Sequence, residues 1–137
     1  MAFQNIPQPF NENDVKAWLG RILRDLCREA RRRFYPSEFI LDEEMREAHA
    51  YDYPEGRERA LADENQPFYR IARYCLEELV NRQVLRRDQI RDPSDGRRYT
   101  VYWKTQLLDA LCPIITLYQL PDIDSTLEEY RREQNQQ

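Results

Sequence analysis

Apolar side chains recur at three- and four-residue steps from Asp14 to Phe34. Val15, Trp18, Leu19, Ile22, Leu23, Leu26, Cys27, Ala30 and Phe34 fall on one half of a helical wheel. The spacing predicts a helix over residues 14–34, capped by Asn13 or Asp14 and ended by Pro36. A second stripe of Phe68, Ile71, Ala72, Cys75, Leu76 and Leu79 predicts a helix over 67–82. Asn65 serves as its cap, and Pro67 stands in the first turn, where a missing N–H costs nothing. Between them the pattern weakens. Ser37 caps a turn through Phe39, Ile40 and Leu41, and Asp42 opens a helix of about 41–50 carrying Met45, Ala48 and His49. The stretch Tyr51-Asp52-Tyr53-Pro54-Glu55-Gly56 breaks it, and Arg57 to Asp63 forms another short helical piece.

The period then changes from 3.6 to two. Val84 to Arg91 leads into Asp92-Pro93-Ser94-Asp95-Gly96, where Pro presets φ and Gly allows positive φ. The return segment Arg97 to Lys104 alternates, with Tyr99, Val101 and Trp103 on one face and Arg98, Thr100, Tyr102 and Lys104 on the other. Residues 84–104 therefore predict a hairpin. Thr105 caps a further helix over 105–118, bearing Leu107, Leu108, Leu111, Ile114, Ile115 and Tyr118, with Pro113 kinking it. Residues 1–13, polar and carrying Pro7 and Pro9, predict a flexible arm, 14–120 one domain, and 121–137 a polar tail whose end forms a fraying helix. The fold class expected is mainly α with a β-hairpin, α+β.

Composition narrows the chemistry. The chain has 137 residues, 41% hydrophobic and 34% charged, enough for one domain with a wet surface. No apolar run approaches the roughly 20 residues needed to span a bilayer. Met1 to Pro7 lacks a basic start before an apolar core, so no signal peptide and a cytoplasmic location are expected. Cys27, Cys75 and Cys112, without short-range spacing, read as reduced buried thiols, Cys75 and Cys112 as small core hydrophobes. One histidine, no CxxC pair and three glycines argue against a multi-histidine metal site, a zinc site and a phosphate-cradling loop. The expectation is a protein that is not an enzyme and carries no cofactor or metal. His49 reads as a surface or half-buried helix residue, Asp42-Glu43-Glu44 as a helix start, Tyr51 and Tyr53 as a self-pinned loop, and Trp18 and Trp103 as core anchors.

The formal charge of -4 conceals a segregation. Residues 14–34 have seven cations and three anions, 35–66 have three and ten, 67–104 have nine and five, and 105–137 have two and six. Nineteen of the 21 cations are arginine, whose fork matches phosphate, carboxylate and base edges. On the first helix Arg21, Arg24, Arg28, Arg31 and Arg32 share one arc, as a phosphate-facing ridge or as a solvated face against which the acidic middle docks. On the second, Arg70 and Arg73 point away from the core stripe beside Tyr69 and Tyr74, and Arg86, Arg87, Arg91, Arg97 and Arg98 cluster toward the hairpin tip. A helix offering two arginines and a tyrosine suits a major groove, and a basic hairpin beside it suits phosphates. The plainer reading is a surface helix partly neutralised by Glu77 and Glu78.

The stretch Phe68-Tyr69-Arg70-Ile71-Ala72-Arg73-Tyr74-Cys75-Leu76-Glu77-Glu78-Leu79-Val80-Asn81-Arg82-Gln83-Val84-Leu85, followed by Gly96-Arg97-Arg98-Tyr99-Thr100-Val101-Tyr102, resembles the recognition helix and wing of PadR-type winged-helix transcriptional regulators. Such proteins usually carry a glycine in the turn after the recognition helix, where this chain has Asn81-Arg82-Gln83. The resemblance covers about residues 67–104. It implies a winged-helix-like fold, with Tyr69, Arg70, Arg73 and Tyr74 facing bases or backbone and Arg97 and Arg98 on the wing. It also implies a homodimer formed through the terminal helix, by Leu107, Leu108, Leu111, Ile115 and Tyr118. The reading is therefore a DNA-binding transcriptional regulator, with Tyr69, Arg70, Arg73, Tyr74, Arg86, Arg87, Arg97 and Arg98 contacting duplex DNA. The alternative is an adaptor that docks an acidic protein partner on the same arginine-rich surface.

Overall fold

The computed structural model describes residues 3–39, 67–91, 93, 96–115 and 121–136. The chain opens with a segment, residues 3–10, that lies against the body through Phe3, Ile6 and Phe10. It then enters helix α1, Glu12–Arg28. The cap lies one turn-fraction earlier than the spacing predicts. Asn11 Oδ1 accepts from the Asp14 amide at 3.0 Å while Asp14 Oδ2 accepts from the Asn11 amide at 2.9 Å, a reciprocal capping box.

The predicted helix over 14–34 is shorter than its stripe. It stops at Arg28 because Glu29 is already extended, with φ -83° and ψ 135°. Phe34, which continued the helical stripe by coincidence of spacing, belongs instead to strand β1, Arg33–Phe34. Pro36 opens a 3-10 turn, Pro36–Phe39. The expected helix of about 41–50, with His49 and the Asp42–Glu44 cluster, lies outside the described residues, as do Tyr51 and Tyr53.

Helix α2, Pro67–Asn81, follows the predicted span to within a residue. It buries Ile71, Ala72, Cys75, Leu76 and Leu79 completely and packs on α1, on the 3-10 turn and on the next strand. Its end is a Schellman motif: Gln83 N–H donates to Val80 C=O and Val84 N–H to Leu79 C=O, both at 2.9 Å. Gln83 carries φ 65°, the left-handed conformation at the place where the winged-helix resemblance calls for glycine.

Strands β2, Leu85–Arg91, and β3, Arg98–Lys104, form the hairpin, and β1 pairs with β3 on its other edge. The antiparallel sheet has the order β1-β3-β2. The period-two alternation holds, but the face that meets the core is that of Tyr102, not that of the expected anchor Trp103. Phe34, Tyr102 and Leu85 are buried together there because Phe34 pairs with Tyr102 and all three face α1 and α2. Trp103 is half-buried on the opposite face and is no core anchor, whereas Trp18 is one, stacked on Phe68 at 6.0 Å.

The terminal helix expected over 105–118 is one short piece, α3, Gln106–Leu111, capped by Thr105 as predicted. The chain turns before Ile114, as Pro113 requires. The tail then forms α4, Ile123–Asn135, with Asp122 as N-cap and with Ile123 and Leu127 in the core beside α3 and α1. Arg82 ties it to α2, donating to Glu78 Oε2 at 2.7 Å and Asp124 Oδ1 at 2.8 Å. Cys27 and Cys112 are joined by a disulfide and are not the reduced thiols expected, since the ends of α1 and α3 meet with Cα atoms 5.5 Å apart. Cys75 stays a free, buried thiol. The chain is α+β, and no helix among its described residues is long and apolar enough to cross a membrane.

Candidate nucleic-acid interface

The hairpin leaves the body as it lengthens. Its first rung, Leu85 opposite Lys104, borders the core, whereas positions 86–89 and 91 of β2 and position 98 of β3 are exposed. Gly96 turns the tip with φ 69° and nothing within 4 Å of where a Cβ would stand. Antiparallel register places paired residues on one face. Arg91 therefore stands directly across from Arg98, two exposed arginines paired across the strands near the tip. Arg97 is exposed next to them.

On the face opposite the core, Arg33, Trp103 and Arg86 form a row across the three strands. The guanidiniums of Arg33 and Arg86 each lie 5.8 Å from the Trp103 ring centroid. Arg87, on the other face, pairs with Glu77 of α2 and so braces the wing against the helix. Tyr99 packs edge-on against Tyr35 at 6.3 Å.

Helix α2 presents less than the sequence reading assigned to it. Arg70 is exposed. Tyr69, expected to face a base, is only 6% exposed, because its ring completes the core while its hydroxyl accepts from Arg73 at 3.1 Å. Tyr74, expected likewise, is half-buried and donates its hydroxyl to the Gln4 carbonyl at 2.6 Å. Burial first, and then the nearby Glu78 carboxylate, push the Tyr74 phenol up to about 12. Arg73 is half-buried. Burial opposes its charge, yet Tyr102, Tyr69 and Glu77 together raise its pKa. Burial likewise pushes the Tyr102 phenol up, against the nearby Arg73 guanidinium, and its hydroxyl is enclosed with no well-formed hydrogen bond to any described residue.

The arginine ridge of α1 is shorter than the wheel suggested. Arg31 and Arg32 lie beyond the helix end; Arg31 pairs with Glu38 at 2.6 Å, and Arg32 grips Asp109 through two bonds of 2.8 and 3.0 Å. Arg21 covers Trp18 at 4.8 Å. Of the five, Arg21 and Arg28 are the exposed members still on the helix.

The proposed dimer residues are committed within the chain. Leu108 and Leu111 are fully buried and Ile115 nearly so, and Leu107 packs on the same core. The reason is α4, which closes over the apolar face of α3. Tyr118 lies outside the described residues. Sequence reasoning missed Arg33, which only strand pairing brings to Trp103, and Arg82, whose partner is 42 residues away. It also read past Phe3, Ile6 and Phe10, whose apolar spacing within the polar arm was the available signal.

Among the described residues no group of His, Cys, Asp and Glu is placed to hold a metal ion. No protein-family model matches the chain, and neither the curated proteins nor the solved structures supply a match.

Proposed function

We propose that the chain is a winged-helix-like protein that binds duplex DNA and regulates transcription, with the β2–β3 hairpin as its principal contact and Arg70 of α2 beside it. The observation that carries this reading is the Arg91–Arg98 pair on a projecting hairpin. Like charges directly opposite in a ladder oppose pairing, and an anion between them reverses the sign of that effect. Arg86, on the opposite face of the hairpin, and Arg97, next to Arg98, add positive charge to the wing, and forked guanidiniums suit phosphate oxygens. The order helix, tight turn, strand, tip, strand also agrees with the resemblance of residues 67–104. Homodimerisation, through a surface other than the core-packed Leu107, Leu108, Leu111 and Ile115, belongs to the same proposal and would set two wings on neighbouring half-sites; sedimentation at rising concentration checks it.

The test is fluorescence anisotropy with a labelled random duplex at two salt concentrations. Contacts from Arg86, Arg91, Arg97 and Arg98 to four phosphates give a slope near -3.6, so affinity falls on the order of 100-fold between 50 and 200 mM salt. Replacing Arg91 and Arg98 with alanine lowers that slope by about 2. No binding at the lower salt rejects the proposal.

One observation favours the second reading, docking of an acidic protein on the same wing. Helix α2 has Tyr69 buried and Tyr74 tied to Gln4, which leaves little of it to enter a groove. Binding of polyglutamate without binding of DNA would select that reading.

A further inference from the structure

Residues 5–7 cross the outer side of α2 and leave an open-sided cavity of about 540 Å³, lined by Asn5, Pro7, Tyr69, Arg70, Arg73, Tyr74 and Glu77. That volume lies within the range of small-molecule sites. Its donors and acceptors do not balance. Arg73 is half-buried, and among the described residues its hydrogen bond runs to a neutral phenol oxygen, Tyr69 Oη. Among the described residues no carboxylate lies within ion-pair distance of it. Glu77, the carboxylate of the same cavity, is paired with Arg87 of the wing. Tyr69 accepts from Arg73, so its own proton remains to donate. The phenols of Tyr74 and Tyr102 hold their protons far above neutral pH, so neither supplies the missing negative charge. Glu77 acts on Arg73 only at longer range, so among the described residues the cavity holds two guanidiniums, Arg70 and Arg73, with no carboxylate bound directly to either.

We propose that this cavity binds a small monocarboxylate with an apolar body, its carboxylate held by Arg73 and Arg70 and its body against Pro7 and the Tyr74 ring. The charge of the lining selects a monoanion. The lining carries Arg70 and Arg73, and Glu77, although paired with Arg87, stands in the same wall and repels a second negative charge on the ligand. The fork of Arg73 matches a carboxylate bidentately, with the Tyr69 hydroxyl as an additional donor. Pro7 and the tyrosine ring give the apolar walls that separate such a ligand from a bare inorganic ion. The proposal does not depend on DNA binding: it shares Arg70 with the proposed DNA surface, but its main anchor, Arg73, and residues 5–7 are no part of that surface.

The experiment is a titration of the isotope-labelled full chain with sodium hexanoate, followed by amide resonances, with hexanamide and sodium chloride as parallel arms. Hexanoate shifts the amides of residues 5–7 and 69–77 saturably, with a dissociation constant of roughly millimolar order for a ligand of about eight heavy atoms. Hexanamide and chloride leave them in place. Arg73→Met weakens hexanoate at least about tenfold, as expected for loss of a charge-assisted fork. Arg70→Met, at an exposed site that does not hold the fold together, weakens it about threefold. Equal shifts with hexanamide or chloride, unchanged affinity in both variants, or inorganic phosphate binding more tightly than hexanoate overturns the proposal.

Discussion

Gln83→Gly should stabilise the protein, although it removes a side chain and adds none. Gln83 sits at φ 65°, and the left-handed region costs a residue with a Cβ about 1–2 kcal/mol. Glycine removes that cost but adds freedom to the unfolded chain worth about 0.4–1 kcal/mol. The net expectation is a gain of roughly 0.7 kcal/mol. Nothing else is lost. The side chain is exposed, and the position's bonds are made by its backbone: its N–H to Val80 C=O, and its C=O accepting from Thr105 Oγ1 at 2.8 Å. Urea unfolding reads the change as a midpoint roughly 0.3–0.4 M higher at unchanged slope, and a thermal melt as a rise of about 2–3 °C. Gln83→Val should move both the other way by about 1 kcal/mol or more, because a β-branched side chain tolerates this conformation worst. A glycine variant no more stable than the parent, or a valine variant equal to it, would refute the argument that the Schellman turn is strained here.

Arg82→Met should cost about 2 kcal/mol, since the side chain is only 12% exposed and loses hydrogen bonds to Glu78 and Asp124. Asp124→Asn should cost no more than about 0.5 kcal/mol, its carboxylate being 54% exposed, and thermal melts of both variants check the ratio. Removing the disulfide with Cys27→Ala and Cys112→Ala should cost about 4–5 kcal/mol, because it closes a loop with a sequence separation of 85. In the parent, Cys75 should react with a thiol reagent only on unfolding, being fully buried with its thiol pushed up by that burial. Tyr74 should share with the buried Cys75 and Tyr102 in the alkaline limb of stability, since its folded value near 12 lies above the unfolded value of 10. Its contribution is complete below pH 10 and disappears as pH rises toward 12. Tyr74→Phe should flatten that fall in a pH series of urea midpoints.

Local periodicity carried a good deal of this protein. The stripe from Phe68 to Leu79 predicted α2 to within a residue, and the Asp92–Gly96 turn between alternating runs predicted the hairpin. Both signals rest on neighbours along the chain, where spacing maps directly onto a face. Phe34 shows where that mapping ends. Its position suits a helical stripe, yet its partner is Tyr102 across β1 and β3, and strand pairing is a relation between distant residues. The same holds for Leu108 and Leu111, an apolar face legible in the sequence whose cover, α4, is not.

The candidate site divides in the same way. That α2 and the hairpin are rich in arginine is a property of the sequence alone. Which arginines keep their charge for a partner was decided by tertiary structure. Arg32, Arg82 and Arg87 met carboxylates brought from α3, α4 and α2, while register set Arg91 opposite Arg98 at an exposed tip. Tyr69 and Tyr74 look equivalent on a helical wheel, but one turns into the core and the other meets Gln4 of a segment 70 residues earlier. A charge has a fixed place in the chain, whereas its neutralisation depends on distances of a few ångströms that only the folded arrangement creates.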